Sequence, residues 1–341
     1  MKKKYGKKID LARLKPNVIH NLKEHLKAQL EIIDFLTKNH SPILQKSCYI
    51  CGSGEFDEIT AIHGFGYVRC RECGHLFTTK RFSGEAIQDF YKRNKYYAET
   101  TYANKESCFY RRENVAKPKV EFLERYTSSK NGDKKWIDVG AGIGDLVSVA
   151  KEKGWDAVGL ELSNSSVKFS KEIFGLNLVQ KPFEKYTEEH PDLVSKVDVV
   201  SFIGVLEHTI NPLELLRLAH DLLKINGHIM IQVPNADSLS SMIQSIFTEN
   251  VFRHMSPVEH IMLFSQKSLI KALEINNFEP LAMWFHGMDV YELLNNLSML
   301  NKKVDNSLLY KTFFSNMNEL QYVFDKKELS DRIICVAKVI K

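Results

Sequence analysis

The sequence of 341 residues predicts an α/β fold whose core is a doubly wound parallel sheet. From Trp136 onward, short apolar segments alternate with amphipathic helical segments, the pattern of a parallel sheet with helices on both faces. A glycine-rich turn, DVGAGIG, separates the first of these strands from its helix. A unit with two CxxC pairs precedes this core, so more than one domain is expected.

Charge is unevenly distributed along the chain. Residues 1–40 hold ten Lys or Arg against four Asp or Glu, whereas the whole chain has 47 against 42. The rest of the chain is therefore near neutral, which argues against a domain built wholly around a nucleic-acid backbone. No apolar run approaches the ~20 residues that span a bilayer, and no apolar leader follows the first lysines, so we expect a cytoplasmic protein.

The basic N-terminal segment, residues 1–45, is predicted to contain an amphipathic helix from Asn17 to about Lys38. Its apolar residues recur every three or four positions, at Ile19, Leu22, Leu26, Leu30, Ile33 and Leu36. We expect this helix to pack on its own domain; a partner-binding or self-associating helix, and with it a homodimer, is the alternative. The lysines at positions 2–8 are expected to form a solvated tail rather than an anion-binding arm.

Residues 46–80 form the predicted metal-binding module. The pattern CYICG recurs as CRECG, and in each turn the glycine lets the backbone curl around two thiolates. Four thiolates would complete the tetrahedral shell of a structural zinc ion, those of Cys48, Cys51, Cys70 and Cys73. Iron in the same cage and a redox dithiol are the alternatives. A complete shell leaves no open position for a substrate, so this metal is expected to stabilise the fold.

Residues 81–135 are predicted to be a tyrosine-rich helical cap, and residues 136–341 the sheet domain, with inserted helices after its fifth and sixth strands. Alternation of apolar and helical segments predicts seven strands, at Trp136–Val139, Asp156–Leu160, Leu176–Val179, Val197–Phe202, His228–Val233, Leu281–Phe285 and Arg332–Lys338. The last strand is expected to be antiparallel.

The glycine turn predicts a nucleotide site at the carboxyl end of the first strand. Glu161 ends the second strand about 20 residues beyond the glycines, where an acid can accept hydrogen bonds from two ribose hydroxyls. The order of Gly140, Gly142 and Gly144 fits a dinucleotide fingerprint poorly. Asp138, inside the first strand, suits a ligand that carries an ammonium and a sulfonium.

With these motifs, the segment from Trp136 to Asn235 resembles the class I S-adenosylmethionine-dependent methyltransferases. The run FIGVLEHTINP, from Phe202 to Pro212, matches their fourth motif, and KPFE after the third strand matches the segment that flanks adenine, with Phe183 stacking on the base. The resemblance implies a Rossmann-like core and these cofactor-binding residues: Asp138, Gly140, Ala141, Gly142, Glu161, Leu162, Phe183, Glu184, Phe202 and Tyr97.

The zinc module, the tyrosine-bearing cap and the segment VEHIMLFS together resemble the sugar C-methyltransferases and their relatives. That resemblance implies that cap tyrosines close over the cofactor. It also implies that Glu259 and His260 supply the general base near the methyl acceptor, with His208 facing it. A histidine base with a pKa near neutral suits removal of a proton from the acceptor.

The leading hypothesis is therefore a methyltransferase that uses S-adenosylmethionine, with structural zinc. Its acceptor would be a small molecule, such as a nucleotide-linked sugar or another polysaccharide or natural-product precursor. An RNA methyltransferase is one alternative, because zinc ribbons precede the core in some ribosomal RNA methyltransferases and residues 1–40 are basic. A catalytically silent binding protein with the same fold is the other. Whether carbon, oxygen or nitrogen is methylated stays open.

Overall fold

The structure is a computed structural model that describes residues 1–14, 22–87, 104–127, 134–251 and 253–340. Its strands, in chain order, are β1 (Lys2–Tyr5), β2 (Ile43–Leu44), β3 (Phe56–Ile62), β4 (Phe65–Cys70), β5 (Leu76–Thr78), β6 (Lys80–Arg81), β7 (Lys135–Val139), β8 (Asp156–Leu160), β9 (Val197–Ile203), β10 (Leu223–Pro234), β11 (Met262–Leu263), β12 (Phe278–His286) and β13 (Arg332–Val339).

The α-helices in the described ranges alternate with the strands of the core and also form a group near the carboxyl terminus. They are Leu11–Leu14, Leu22–Asn39, Lys105–Arg111, Lys117–Glu124, Asp145–Glu152, Asn164–Phe174, Phe183–Glu189, Pro212–Leu222, Leu239–Ile246, Gln266–Ile275, Asp289–Leu300, Leu308–Ser315 and Met317–Lys326.

A seven-stranded sheet forms the centre of the molecule, in the order β1-β12-β13-β10-β9-β7-β8. Strands β7, β8, β9 and β10 are parallel, and β13 runs antiparallel between β10 and β12. The predicted antiparallel last strand and the α/β fold class are therefore confirmed. This strand order agrees with the Rossmann-like core that the resemblance implies.

The predicted third strand, Leu176–Val179, is reduced to a single bridge between Val179 and Leu160. Two hydrogen bonds make this bridge, from the Val179 amide to the Gly159 carbonyl at 2.9 Å and from the Glu161 amide to the Val179 carbonyl at 3.0 Å. The segment thus continues the sheet beyond β8 for one residue, and the prediction of a full strand was too long.

Local signals define the first half of the core well. Helix Asn164–Phe174 begins where the Ser163 side chain accepts a hydrogen bond from the Ser166 amide, and it ends at Gly175, which has a φ of 67°. Strand β9 is almost wholly buried, as a parallel strand covered on both faces should be. These boundaries put the carboxyl ends of β7, β8 and β9 side by side.

The cysteine-rich module has its own sheet, ordered β11-β5-β4-β3, and one of its strands comes from far along the chain. Strand β11 pairs with β5 through Met262 opposite Phe77 and Leu263 opposite Leu76. Main-chain hydrogen bonds therefore attach the module to the segment that follows β10.

The N-terminal lysines do not form the solvated tail expected for residues 2–8, and that expectation was wrong. Residues Lys2–Tyr5 form β1, which pairs in parallel with β12 and extends the central sheet. The Lys4 ammonium lies 3.3 Å from the centre of the Trp284 ring. Without β1, the main-chain groups along the edge of β12 would be unpaired, and β1 pairs them. The Lys4 ammonium adds a cation–π contact with the indole ring.

Helix Leu22–Asn39 packs against later segments of its own chain, and not within residues 1–45 as expected. Ile33 and Leu36 are buried in one cluster with Phe65, Phe82 and Val258. Leu30, on the same predicted stripe, is 39% exposed, so the buried face is narrower than the sequence pattern implies.

Some predictions fall outside the described residues. These are the start of the first helix at Asn17 and Ile19, the cap tyrosines Tyr96 and Tyr97, and the turn at 131–133. Among the helices that the structure describes, none combines the length and the apolar content needed to cross a membrane.

Candidate functional site

The glycine loop follows directly from β7 into helix Asp145–Glu152. Gly140, Gly142 and Gly144 all have positive φ, at 68°, 57° and 78°. Gly144 is the residue before the helix, and a Cβ there would lie 2.9 Å from Leu176 and 3.0 Å from the Ser170 hydroxyl. Only glycine meets both constraints cheaply, so the tight turn brings the amino end of the helix to the carboxyl edge of the sheet.

Glu161, the predicted ribose acid, follows β8 and lies against the glycine loop. One carboxylate oxygen accepts a hydrogen bond from the Gly142 amide at 2.8 Å and the other accepts from the Ser163 amide at 2.7 Å. Burial raises the pKa of this carboxyl, and the amide donors oppose that shift. The structure therefore holds an oriented carboxylate between the glycine turn and the end of β8.

Asp138 is buried inside β7 and ends a short chain of hydrogen bonds. The Trp136 indole donates to the Ser201 hydroxyl at 2.8 Å, and that hydroxyl donates to Asp138 at 2.5 Å. Burial raises the pKa of Asp138 to about 7. Its charge therefore changes near neutral pH.

The other predicted cofactor residues have different surroundings. Ala141 is buried, and its amide bonds the Leu160 carbonyl at 2.8 Å. Phe183 is 3% exposed and packs its ring edgewise against Phe202, which is itself fully buried. Leu162 is 63% exposed.

Burial of Phe183 does not favour the predicted stacking on adenine, because the ring offers no open face. Leu162 offers the exposed apolar side chain at this edge instead. Glu184, next to Phe183, is exposed, and Tyr97 lies outside the described residues. The roles of these four residues stay predictions.

The four predicted metal ligands converge. The sulfur atoms of Cys48 and Cys73 are 3.5 Å apart, those of Cys51 and Cys70 are 3.4 Å apart, and all four lie within 4.8 Å of one another. Sulfur atoms around a tetrahedral zinc ion are separated by about 3.8 Å, given Zn–S bonds of about 2.3 Å. The donor set and its spacing thus fit a closed tetrathiolate site.

Two predicted catalytic residues lie together. The rings of His208 and His260 are 4.7 Å apart between centroids, at 64° to each other. The Nδ1 atom of His208 lies 2.7 Å from the Glu259 carbonyl oxygen, and Nδ1 of His260 lies 2.9 Å from the His254 carbonyl oxygen. Because a carbonyl oxygen only accepts, each Nδ1 carries the proton and each Nε2 carries the lone pair.

Burial lowers the pKa of both imidazoles, to about 4 for His208 and well below its usual value for His260. Both rings are therefore neutral at physiological pH.

Glu259 was predicted to be part of the base, but its carboxylate is not the one grouped with the two imidazoles. It accepts a hydrogen bond from the Gln29 side-chain amide at 3.2 Å, and burial raises its pKa to about 7. The acid that lies beside both histidines is Glu207, whose ligand atom is within 4.8 Å of theirs. Burial raises the pKa of Glu207 to about 8.

Two buried charged residues, Glu207 and Lys119, were not predicted from the sequence. Glu207 stands next to His208 in the LEH triplet, so the motif held a usable signal. Lys119 is a buried lysine in helix Lys117–Glu124, and burial lowers its pKa to about 7. Nothing in the pattern KPK distinguishes it from an exposed lysine, so burial could be found only in the structure.

The chain matches the family model described as "Methyltransferase domain" over residues 109–282, slightly more than half of its length. Two curated relatives are ubiquinone biosynthesis O-methyltransferases. The protein from Aliivibrio fischeri is 26% identical over 148 residues, which cover 41% of this chain and 62% of the relative. The protein from Pectobacterium carotovorum is 28% identical over 125 residues, which cover 35% and 51%.

The chain thus spans between half and two thirds of the length of these relatives. Among solved structures, a SAM dependent methyltransferase from Archaeoglobus fulgidus is 21% identical, with a TM-score of 0.46, and the match covers 67% of this chain and 94% of that one. The family match includes the glycine loop, Glu161 and both histidines of the site. The chain belongs to the methyltransferase domain family.

Proposed function

We propose that this protein transfers a methyl group from S-adenosylmethionine to a small-molecule acceptor. The observation that carries the proposal is the arrangement at three neighbouring strand ends. The glycine loop and Glu161 lie at the ends of β7 and β8, and the imidazole of His208 follows β9, which pairs with β7. A cofactor held by the first pair of strands has its reactive end toward the third.

The chain's own residues supply binding, orientation and proton removal. The cofactor, when bound, supplies a methyl group already activated on a sulfonium. In this proposal Glu161 holds the ribose hydroxyls, and Asp138 favours the positive charge of the cofactor. The Nε2 atoms of His208 and His260 are the unprotonated ring nitrogens next to the acceptor side. Alignment of acceptor and methyl group then does most of the catalytic work.

The acceptor we favour carries a hydroxyl group. The relatives matched by sequence are named as O-methyltransferases of ubiquinone biosynthesis, which favours an oxygen acceptor. A nucleotide-linked sugar, or another polysaccharide or natural-product precursor, fits the resemblance of the cysteine module and of the Glu259-His260 segment. We propose structural zinc for the four thiolates.

We place the RNA alternative second, because part of the basic segment that favoured it has contacts within the fold. Lys4 packs over Trp284, and Lys7 is buried enough that its pKa is well below its usual value. The basic N-terminal segment is thus partly used within the fold. A silent binding protein would not need neutral imidazoles next to the cofactor loop.

Calorimetric titration with S-adenosylhomocysteine tests the proposal. Wild type should bind, and Glu161→Gln should bind at least about tenfold more weakly, because its side-chain NH₂ would face a backbone amide donor. The control is Glu188→Gln, an exposed acid of helix Phe183–Glu189, which should bind like wild type. Failure of zinc-loaded wild type to bind would refute the proposal, as would equal affinity of Glu161→Gln.

A further inference from the structure

Three side chains beside the proposed acceptor position form a cluster with the composition of a metal site. Glu207, His208 and His260 each place one ligand atom within 4.8 Å of the other two. Two imidazoles and one carboxylate are the protein ligands of many catalytic zinc and non-haem iron sites. The four thiolates form a separate group, so this cluster is distinct from them.

The hydrogen bonds of the two histidines orient them as ligands. Both Nδ1 atoms donate to main-chain carbonyls, that of His208 to Glu259 and that of His260 to His254. A metal-binding histidine usually donates its other ring N–H in this way, which fixes the tautomer and the ring orientation. The ligand atom that each ring offers is therefore Nε2.

Glu207 supplies an independent observation. Glu207 is 4% exposed, and its Oε2 atom has no hydrogen-bond partner among the described residues. A buried carboxylate oxygen without a donor is costly unless a cation or a proton satisfies it. Of the groups around it, the two histidines bring lone pairs rather than protons, so they do not supply that donor.

We propose that Glu207, His208 and His260 bind a divalent first-row transition-metal ion, with open positions toward the methyl acceptor. Ligand atoms around such an ion lie about 3.4 Å apart when the bonds are about 2.1 Å long. Nitrogen donors favour a transition-metal ion over magnesium or calcium, which prefer oxygen.

The ion also narrows the acceptor class, and this step rests on the proposed function. With both Nε2 lone pairs bound to the ion, His208 and His260 act as ligands, and the ion replaces them as the means of proton removal. A hydroxyl group that coordinates the ion has a lowered pKa and releases its proton to water. The acceptor oxygen then forms the new C–O bond while the bond from the methyl carbon to sulfur breaks with its electron pair, leaving a neutral thioether. Acceptors with an oxygen nucleophile, and above all adjacent oxygens able to chelate, are thus favoured.

Electron paramagnetic resonance with Mn²⁺ tests the site directly. The full chain is loaded with one equivalent of zinc, which fills the thiolate site, and is then titrated with Mn²⁺, an ion that thiolates bind poorly. Wild type should remove about one equivalent of the free-ion signal. Glu207→Gln and His260→Ala should each weaken binding at least about tenfold. His190→Ala, a histidine of the exposed turn after helix Phe183–Glu189, should bind like wild type.

Two outcomes would overturn the inference: no bound Mn²⁺ in wild type, or equal binding in both cluster variants and wild type. Calorimetry with S-adenosylhomocysteine on the same samples separates this result from the proposed function. Glu207→Gln should keep wild-type affinity for that ligand, because the cofactor loop lies on β7 and β8. This retained affinity also shows that the Glu207→Gln variant is folded. A wild-type protein that binds S-adenosylhomocysteine but no Mn²⁺ would count against the metal site alone and would leave the proposed function standing.

Discussion

At the scale of single residues, the site consists of charged groups held where water is scarce. Burial raises the pKa of Asp138 to about 7, and lowers that of Lys119 to about 7. A buried group whose pKa lies near neutral pH can change its charge when a ligand binds, which makes it a candidate for a functional site. The cost of this arrangement is a folded state whose stability depends on pH.

Substitution of Asp138 by Asn should show both the effect of its charge on stability and its effect on cofactor binding. The folded state holds a proton on Asp138 up to about pH 7, whereas the ordinary value is 3.8, so this residue lowers stability progressively as the pH rises between these values. Asp138→Asn should reduce the fall in the free energy of unfolding between pH 5 and pH 8 by about 1–3 kcal/mol. It should also weaken S-adenosylhomocysteine binding at pH 8.

Urea denaturation at the two pH values measures the first effect, and calorimetry measures the second. The asparagine keeps an oxygen that can accept from the Ser201 hydroxyl, so the hydrogen-bond chain survives. Asp156→Asn, at the exposed start of β8, is the matched control. An unchanged pH slope in Asp138→Asn would contradict the assignment.

At the scale of elements, the cysteine module is part of the support of the candidate active site. The Tyr67 hydroxyl, on β4, donates to the His260 carbonyl at 3.2 Å. The Thr78 amide donates to the Ile261 carbonyl at 3.0 Å, immediately before β11 pairs with β5. The four thiolates hold the turns on either side of these strands, so a bound metal would act on His260 through the module.

Removal of metal from the module should therefore lower turnover more than cofactor binding. In Cys51→Ser, loss of one zinc ligand should abolish stoichiometric zinc, measured by elemental analysis, and reduce methyl transfer strongly. Affinity for S-adenosylhomocysteine should fall less, because Glu161 and the glycine loop lie outside the module.

Tyr67→Phe makes the comparison sharper, because it retains all four thiolates and removes only the hydroxyl. It should keep full zinc content and lose about tenfold in kcat through a misplaced His260. Full activity in a zinc-free Cys51→Ser protein would show that the module does not position the histidine.

At the scale of the whole molecule, a buried charge network joins distant segments behind the site. The Arg253 guanidinium bonds Glu292 at 2.8 Å and Asp331 at 2.8 Å, and His254 lies 3.0 Å from the same Asp331 oxygen. The side chains of Glu292 and Asp331 are fully buried. The network links helix Asp289–Leu300 and the residue before β13 to the segment whose His254 carbonyl orients His260.

Arg253→Met should be among the most destabilising single changes. It removes the cation that Glu292 and Asp331 share and leaves Asp331 with Arg332, at 3.8 Å. Breaking such a buried pair costs about 3–5 kcal/mol of unfolding free energy. Arg217→Met is the matched control, since Arg217 also pairs with two acids, Glu214 and Asp221, but on the surface. That change should cost less than about 1 kcal/mol. Chemical denaturation compares them, and similar losses would contradict the role given to burial.

Much of the cofactor half could be predicted because its signals are local. A strand, a glycine turn and a helix within DVGAGIGD, an acid at the end of the next strand and a serine cap with a terminal glycine are all set within about 40 consecutive residues. Two CxxCG turns likewise fix their own conformation. In such segments the sequence spacing fixes the geometry, so no distant contact is needed to infer it.

The acceptor half depended on contacts between residues far apart in the chain. The sequence could not show that β1 would pair with β12, or that β11 would complete the sheet of the cysteine module. It also predicted Glu259 as the acid beside the histidines, where the structure places Glu207. Adjacent residues in a loop point in different directions according to what packs against them. The sequence alone therefore determined which side chains could act as acids, bases or ligands. Which of them lie together was decided by the tertiary packing of β9, β11 and the module.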